Sequence, residues 1–330
     1  MSSIDRPSAP ISGDDSVLPF AVEALDLRGR VVRLGPAVDA ILGRHDYPPC
    51  VSRLLAEAVA LTALIGTSMK FDGRFILQTQ SDGPVGMLVV DFSAPDALRA
   101  CARFDAAAVA AAVEAGRDRP EDLLGRGHLA MTVDQGAEMS RYQGIVELDG
   151  RSLEEAAHGY FLQSEQIPTR VRLAVAEVLT RDPGREPRRA WRAGGLFLQF
   201  LPASAERVGH RDLHPGDAPG DAATPEEDDA WVEAQSLAGT VEDVELTDPA
   251  VSAETLLYRL FHERGARVFE PQPLAERCRC SRDAVRAMIA SFSPAERVDM
   301  VENGRIGVTC EFCSTRYDFD PKEFETPEEG

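Results

Sequence analysis

Val51-Ser-Arg-Leu-Leu-Ala-Glu-Ala-Val-Ala-Leu-Thr-Ala-Leu-Ile-Gly-Thr-Ser-Met69 is apolar on nearly every face. Gly73-Arg-Phe-Ile-Leu-Gln-Thr79 and Pro84-Val-Gly-Met-Leu-Val-Val-Asp91 follow it directly. A helix without a polar side has to be enclosed by other structure. The two runs after it have strand composition and are bounded by Gly turns, with Asp82-Gly-Pro-Val-Gly86 as the turn between them. Working outward, Ala24–Leu34 is a further strand, and His128–Val133 with Gln143–Leu148 forms a hairpin. Val171–Val178 and Gly195–Leu201 form a pair around Asp182-Pro-Gly184. A second helix starts at Ser152, with Glu155 completing a capping box and Leu153, Ala156, Ala157, Tyr160 and Phe161 on one face. Strands and helices come in clusters and not in βαβ alternation, so the fold class is α+β, a mixed sheet-and-helix core over 19–202.

The chain has 330 residues and a formal net charge of −20. That charge argues against a nucleic-acid partner. From Phe269 onward 8 Lys or Arg face 13 Asp or Glu, the wrong balance for a module that grips DNA or RNA. The longest nearly uncharged run, Ala58–Met69, is too short to span a bilayer, so no membrane association is expected. Residues 1–18 lack the apolar core of a secretory signal and read as a disordered tail. A cytoplasmic location follows, where thiols and metal thiolates are favoured over permanent disulfides.

Past the core, composition changes. Between 203 and 249 acidic residues outnumber basic ones 13 to 2, and Glu226-Glu-Asp-Asp229 is a charge run. The region 203–268 is expected to be an acidic, metastable linker with helices near Trp231–Leu237 and Ser252–Glu263. Its Leu256, Leu257, Leu260 and Phe261 stripe has to rest on an apolar face of the core.

Residues 269–330 form a C-terminal module. Ser281 caps a helix over 282–291, and Ser293-Pro-Ala-Glu296 starts another that Asn303-Gly304 ends. Arg305–Thr309 and Thr315–Phe319 are strands. Its apolar set is thin: Val285, Met288, Ile289, Val298, Met300, Val301, Ile306, Val308, Phe312 and Tyr317. A core that small needs a staple.

Cys278-Arg-Cys280 and Cys310-Glu-Phe-Cys313 supply it. The pairs stand 29 residues apart, and only Cys50 and Cys101 precede them. Two close pairs give the two edges of a tetrahedral four-thiolate zinc site, which has no open coordination position for a catalytic water. One zinc ion, structural or redox in role, is the metal such a site is expected to hold. Arg277, Arg279 and Arg282 beside the first pair favour thiolate. A passive zinc clip fits the same spacing. A thiol–disulfide oxidoreductase using Cys310 and Cys313 is the enzyme alternative, although that motif opens a helix and here a strand follows. Zinc deamination lacks its His-x-Glu partner.

His210 and His214 sit in the Pro/Gly/Asp linker and read as solvated, His262-Glu263 lacks the second His of a zincin helix, and Cys50 and Cys101 are buried apolar residues. No phosphate-binding Gly loop or Gly-x-Ser-x-Gly elbow occurs, so no catalytic residue is assigned and no enzyme is expected.

The chain resembles the heat-shock protein 33 family of redox-regulated, ATP-independent holdase chaperones. The likeness is carried by the cysteine pattern, by Phe269-Glu-Pro-Gln-Pro273 and by Cys280-Ser-Arg282. Upstream it is carried by Tyr160-Phe-Leu-Gln-Ser-Glu-Gln-Ile-Pro-Thr169, Ala193-Gly-Gly-Leu-Phe-Leu-Gln-Phe-Leu-Pro202 and Leu256-Leu-Tyr-Arg-Leu-Phe-His-Glu263. It covers roughly 19–325. The resemblance implies zinc on all four cysteines when reduced, and disulfides Cys278–Cys280 and Cys310–Cys313 after oxidation. It further implies unfolding of module and linker, unfolded client proteins as partners, and a homodimer on activation. The acidic stretch 205–229 is longer than the family pattern.

Overall fold

The computed structural model describes residues 13–69, 71–136, 141–180, 188–201 and 228–324. In chain order the elements begin with β1 (Ser16–Val22), β2 (Leu27–Leu34), α1 (Pro36–Leu42) and α2 (Pro49–Ser68). Then come β3 (Arg74–Ser81), β4 (Met87–Ser93), β5 (Ala97–Arg103), α3 (Ala106–Glu114) and α4 (Pro120–Leu124). The core closes with β6 (Gly127–Asp134), β7 (Tyr142–Glu147), α5 (Leu153–Tyr160), β8 (Thr169–Thr180) and β9 (Arg188–Phe200). After the linker helices α6 (Asp229–Gly239), α7 (Asp243–Thr247) and α8 (Ala253–Phe261) come three two-residue strands, β10 (Arg267–Val268), β11 (Gln272–Pro273) and β12 (Ala275–Glu276). The C-terminal module holds α9 (Arg282–Ala290), α10 (Pro294–Asp299), β13 (Val301–Glu302), β14 (Arg305–Thr309) and β15 (Arg316–Phe319).

One sheet runs β10-β1-β2-β9-β8, with β11 also on β1. The second runs β12-β5-β4-β3-β6-β7, and β13-β14-β15 is a small third. Helix α2 lies between the two large sheets and packs on β2, β8 and β9 from one and on β3, β4 and β5 from the other. Its 20 residues have the length and apolarity to cross a membrane, because the helix extends back from Ala58 to Pro49. Yet 89% of that apolar window is buried inside the protein. Thr62 and Thr67 donate to the Ala58 and Ala63 carbonyls at 2.7 Å, so their hydroxyls are satisfied without water.

Three expectations need correction. Residues 16–18 are not tail: β1 begins at Ser16, and Val17 and Leu18 are 0% and 1% exposed. Pro19 disguised this strand, since proline cannot donate to a ladder; its carbonyl accepts from the Phe269 N–H at 2.9 Å instead. Asp15 just before it caps α1, its carboxylate accepting from the Gly35 and Ala37 N–H groups at 2.9 and 3.1 Å. Strand β5 was missed because Ala-Leu-Arg-Ala-Cys-Ala-Arg has helix-forming composition, and cross-strand pairing with β4 overrides it. Asn303-Gly304 does not end a helix. With φ of 51° and 76° it is the turn between β13 and β14, the left-handed pair that a two-residue hairpin demands.

The capping box at Ser152 and Glu155 is present in both halves. Turn 182–184, His210, His214 and most of the acidic stretch lie outside the described residues.

The linker stripe does rest on the core. Leu256, Leu257, Leu260 and Phe261, with Trp231 from α6, pack on Leu18, Phe20, Leu198 and Phe200 of the first sheet. Gly194 makes this possible. A Cβ there would stand 2.2 Å from the Leu246 carbonyl oxygen of α7, whereas one on Gly195, facing the other way, would meet Leu64 of α2 at 2.9 Å. The Gly-Gly pair lets linker and buried helix approach β9 from opposite faces.

Candidate metal centre

The module is built from well-capped short elements. Ser281 Oγ accepts from the Ala284 N–H at 3.1 Å at the start of α9, and Ser293 and Glu296 form a capping box on α10. Cys310–Cys313 closes the β14–β15 hairpin. The Ser314 N–H donates to the Cys310 carbonyl at 2.8 Å, and the Cys310 N–H to the Thr315 carbonyl at 2.9 Å. Cys278 and Cys280 lie in the irregular segment between β12 and α9.

These elements bring all four Sγ atoms within 4.8 Å of one another, an arrangement that could hold a metal ion. Cys278 and Cys310 sulfurs are 3.7 Å apart, Cys280 and Cys313 sulfurs 3.3 Å. The Tyr317 hydroxyl donates to Cys280 Sγ at 3.2 Å, and Thr315 Oγ1 is 3.2 Å from Cys313 Sγ. Burial pushes the Cys280 thiol up to about 12 and raises Cys310 as well. Burial opposes ionisation of Cys313 too, but the Thr315 hydroxyl and N–H bring it down to about 6. Four adjacent sulfurs cannot all carry negative charge unaided.

The module core is smaller than expected. Among the described residues Ile289, Ile306 and Phe319 are the fully buried apolar members, while Met288 and Val298, expected inside, are 45% and 70% exposed. Phe312 leaves the module altogether, and its ring lies under the Arg99 guanidinium at 3.9 Å. The arginines expected to favour thiolate are engaged elsewhere: Arg277 with Asp96, Arg279 with Asp91, Arg282 with Glu323. Arg99 of β5 is the cation at the cluster. Burial works against its charge, yet Asp91 and the Cys278 sulfur raise its pKa.

Arg99, Asp91, Arg103 and His45 are thus site neighbours that no local signal in the chain announces, since the topology alone brings β4 and β5 to the cysteines. Cys50 and Cys101 are buried, as expected, and burial pushes the Cys101 thiol up to about 12.

Comparison with known proteins agrees with this geometry. The family model described as Hsp33 protein matches residues 15–320. A 33 kDa chaperonin of Caulobacter vibrioides is 48% identical over 318 residues, covering 95% of this chain and 98% of its own. One from Pseudomonas putida is 36% identical over 306 residues, covering 92% and 90%. The crystal structure of the 33 kDa chaperonin (heat shock protein 33 homolog) from Thermotoga maritima matches with a TM-score of 0.70 at 19% identity. It covers 94% of this chain and 96% of that one, so the α+β fold is shared. The matched span takes in both large sheets, the linker helices and all four clustered cysteines, and the chain belongs to the Hsp33 family of redox-regulated chaperones.

Proposed function

We propose that this chain is an ATP-independent holdase that oxidation switches on, with Cys278, Cys280, Cys310 and Cys313 binding one zinc ion in the reduced state. The observation that carries the reading is the convergence of four sulfurs in a module with three fully buried apolar side chains among the described residues, beside linker helices that cover an apolar face. The donor set fits zinc. A Zn–S bond of about 2.3 Å places the sulfurs of a tetrahedron about 3.8 Å apart, close to the 3.7 and 3.3 Å separations here. Bound zinc would neutralise the thiolates and cross-link the two loops, with no open position for a reactive water.

In each switching step two thiolates lose two electrons to one peroxide. The O–O bond breaks, an S–S bond forms, and two protons complete two waters. By family resemblance the pairs are Cys278–Cys280 and Cys310–Cys313. Each such bond stays inside its own loop, so the cross-link between the loops is lost and not replaced. A module with so thin a core then unfolds. Helices α6–α8 loosen with it, and the face bearing Phe20, Leu198 and Phe200 is left to bind unfolding client proteins.

Homodimerisation on oxidation, a cytoplasmic location and the absence of nucleic-acid, membrane or catalytic roles belong to the same reading; the net charge of −20 supports the nucleic-acid part. The oxidoreductase alternative is the weaker reading. Cys310 opens no helix and burial raises its thiol; Cys313, lowered to about 6, is the one activated member of that pair.

The test is aggregation of a thermally unfolding client, with the chain reduced and zinc-loaded or treated with peroxide under mild heat. Suppression should appear only after oxidation, with loss of one zinc by native mass spectrometry. Equal inactivity in both states would overturn the proposal.

A further inference from the structure

We propose that Asp91 and Arg99 of the core are positioning residues for the cysteine cluster: one cross-strand ion pair holds both cysteine loops at once, and so sets how readily oxidant opens them. The proposal rests on the zinc-switch reading above.

In each cysteine pair the intervening residues turn away from the sulfurs and toward the core. Arg279, between Cys278 and Cys280, donates from Nη2 to Asp91 Oδ2 at 3.1 Å. The same oxygen accepts from Arg99 Nε at 2.8 Å, and Asp91 faces Arg99 directly in the β4–β5 register. Phe312, between Cys310 and Cys313, stacks its ring on that Arg99. Two flanking contacts fix the second loop further. Arg103 Nη2 donates to Glu311 at 2.6 Å, and His45 bridges the Phe312 carbonyl and the Ser314 hydroxyl at 3.2 Å each.

The Asp91 side chain is 4% exposed. Buried ionic groups lose heavily when one partner goes; Asp91 keeps Arg99 when Arg279 is removed, so that loss falls on the docking of the first cysteine loop and not on the core. The ion pair can touch both loops only while the sulfurs converge. Linkage is reciprocal: whatever docking contributes to holding the loops together it contributes equally to retaining the metal. Asp91, far from the cysteines in sequence, thereby tunes a reaction in which it takes no chemical part, while Arg99 also bonds the Cys278 sulfur directly.

Cys101 supplies a reporter. It sits between Arg99 and Arg103 on the outward face of β5, opposite Leu98 and Ala100, which join the main core cluster, and it belongs to no apolar cluster itself. It is nonetheless only 3% exposed, with Glu311 of the second cysteine loop close enough to act on its thiol, so undocking of that loop should raise its accessibility.

The experiment uses the full zinc-loaded chain with Arg279→Ala, Asp91→Asn and the double variant. It follows zinc release at fixed peroxide with a metallochromic dye, and Cys101 alkylation before oxidant is added. All variants should carry one zinc. Each single variant should release it at least about fivefold faster and label Cys101 faster, and the double variant should release no faster than Asp91→Asn alone, since both remove one contact. Arg99→Lys, which keeps the charge but loses the fork and the stacking, should fall between. Arg279 is partly exposed, so Arg279→Ala leaves the core's thermal midpoint unchanged and keeps the test decisive even if Asp91→Asn folds poorly. Zinc-loaded variants that release metal at the wild-type rate would overturn this inference alone. A wild type without zinc would overturn the switch and this inference with it.

Discussion

The core around α2 and the cysteine module meet one demand, a stable interior, by opposite means. The core spreads its burial over both large sheets and a 20-residue helix, so that no single side chain decides the outcome. The module has Ile289, Ile306 and Phe319 at its centre and four sulfurs beside them. Distributed burial is nearly insensitive to oxidants and chelators, because the alkyl and phenyl groups that make up almost all of it have no thiol chemistry, and Cys50 and Met131 within it are shielded from solvent. Stability concentrated in thiolates can be removed by a reagent that leaves the core alone. The linker helices stand between the two regimes, apolar on their inner face yet continuous with the switch.

The largest effect should come from breaking the concentrated region. Apparent binding energies of structural zinc sites run to about 10–16 kcal/mol near neutral pH, more than a module of this size can hold in folding free energy. Chelation, or Cys310→Ser, should abolish hydrogen-exchange protection across α9 to β15. Protection of β3, β4 and α2 should persist. If the module stays protected after its metal is stripped, the contrast between the two regions is false.

A smaller break targets the boundary. Gly194→Ala puts a methyl 2.2 Å from the Leu246 carbonyl oxygen and 3.0 Å from its Cβ, so α7 has to move away from β9. Overpacking of this kind costs about 1–3 kcal/mol. The expected result is higher binding of an apolar dye by the reduced, zinc-loaded protein, with lost protection confined to α6–α8. Dye binding equal to wild type would show that α7 is not what keeps the apolar face covered.

How much of this was legible beforehand follows from the range of the forces. The all-round apolarity of 51–69 announced a buried helix, and the Ser152–Glu155 and Ser293–Glu296 boxes announced helix starts, because these signals are local. The four-sulfur cluster was legible because Cys-x-Cys and Cys-x-x-Cys have few other uses at that spacing. Strands β1 and β5 were not, since Pro19 and an Ala/Arg-rich run mask extended structure that only pairing imposes. Nor was the partnership of Asp91 and Arg99 with the cysteine loops. It depends on β12 adding in parallel to β5 through Ala275 and Glu276, a tertiary event without a local signature.

The smallest effect sharpens the comparison from the core's side, where titration replaces oxidation as the perturbation. Burial on α2 pushes the Glu57 carboxyl up to about 8, and the charges of Glu154, Glu121 and Asp243 add to this while Arg53 opposes it. The folded state therefore holds a proton that the unfolded chain releases near pH 4.5. That contribution to stability is complete below pH 4.5 and is lost progressively as pH rises toward 8. The slope has an upper limit of about 1.4 kcal/mol per pH unit, reduced here because solvent reaches part of the side chain. Denaturation midpoints of the reduced, zinc-loaded protein should fall between about pH 6.5 and 8, above the range in which His158, whose pKa burial lowers to about 4, offsets the decline, and Glu57→Gln should flatten that fall. At each pH the Glu57→Gln protein should carry as much zinc as the wild type, because the titrating group belongs to the distributed region and not to the thiolate cluster. A Glu57→Gln protein with an unchanged pH slope would remove Glu57 from the account, and one that lost zinc would show the two regions to be coupled through α2.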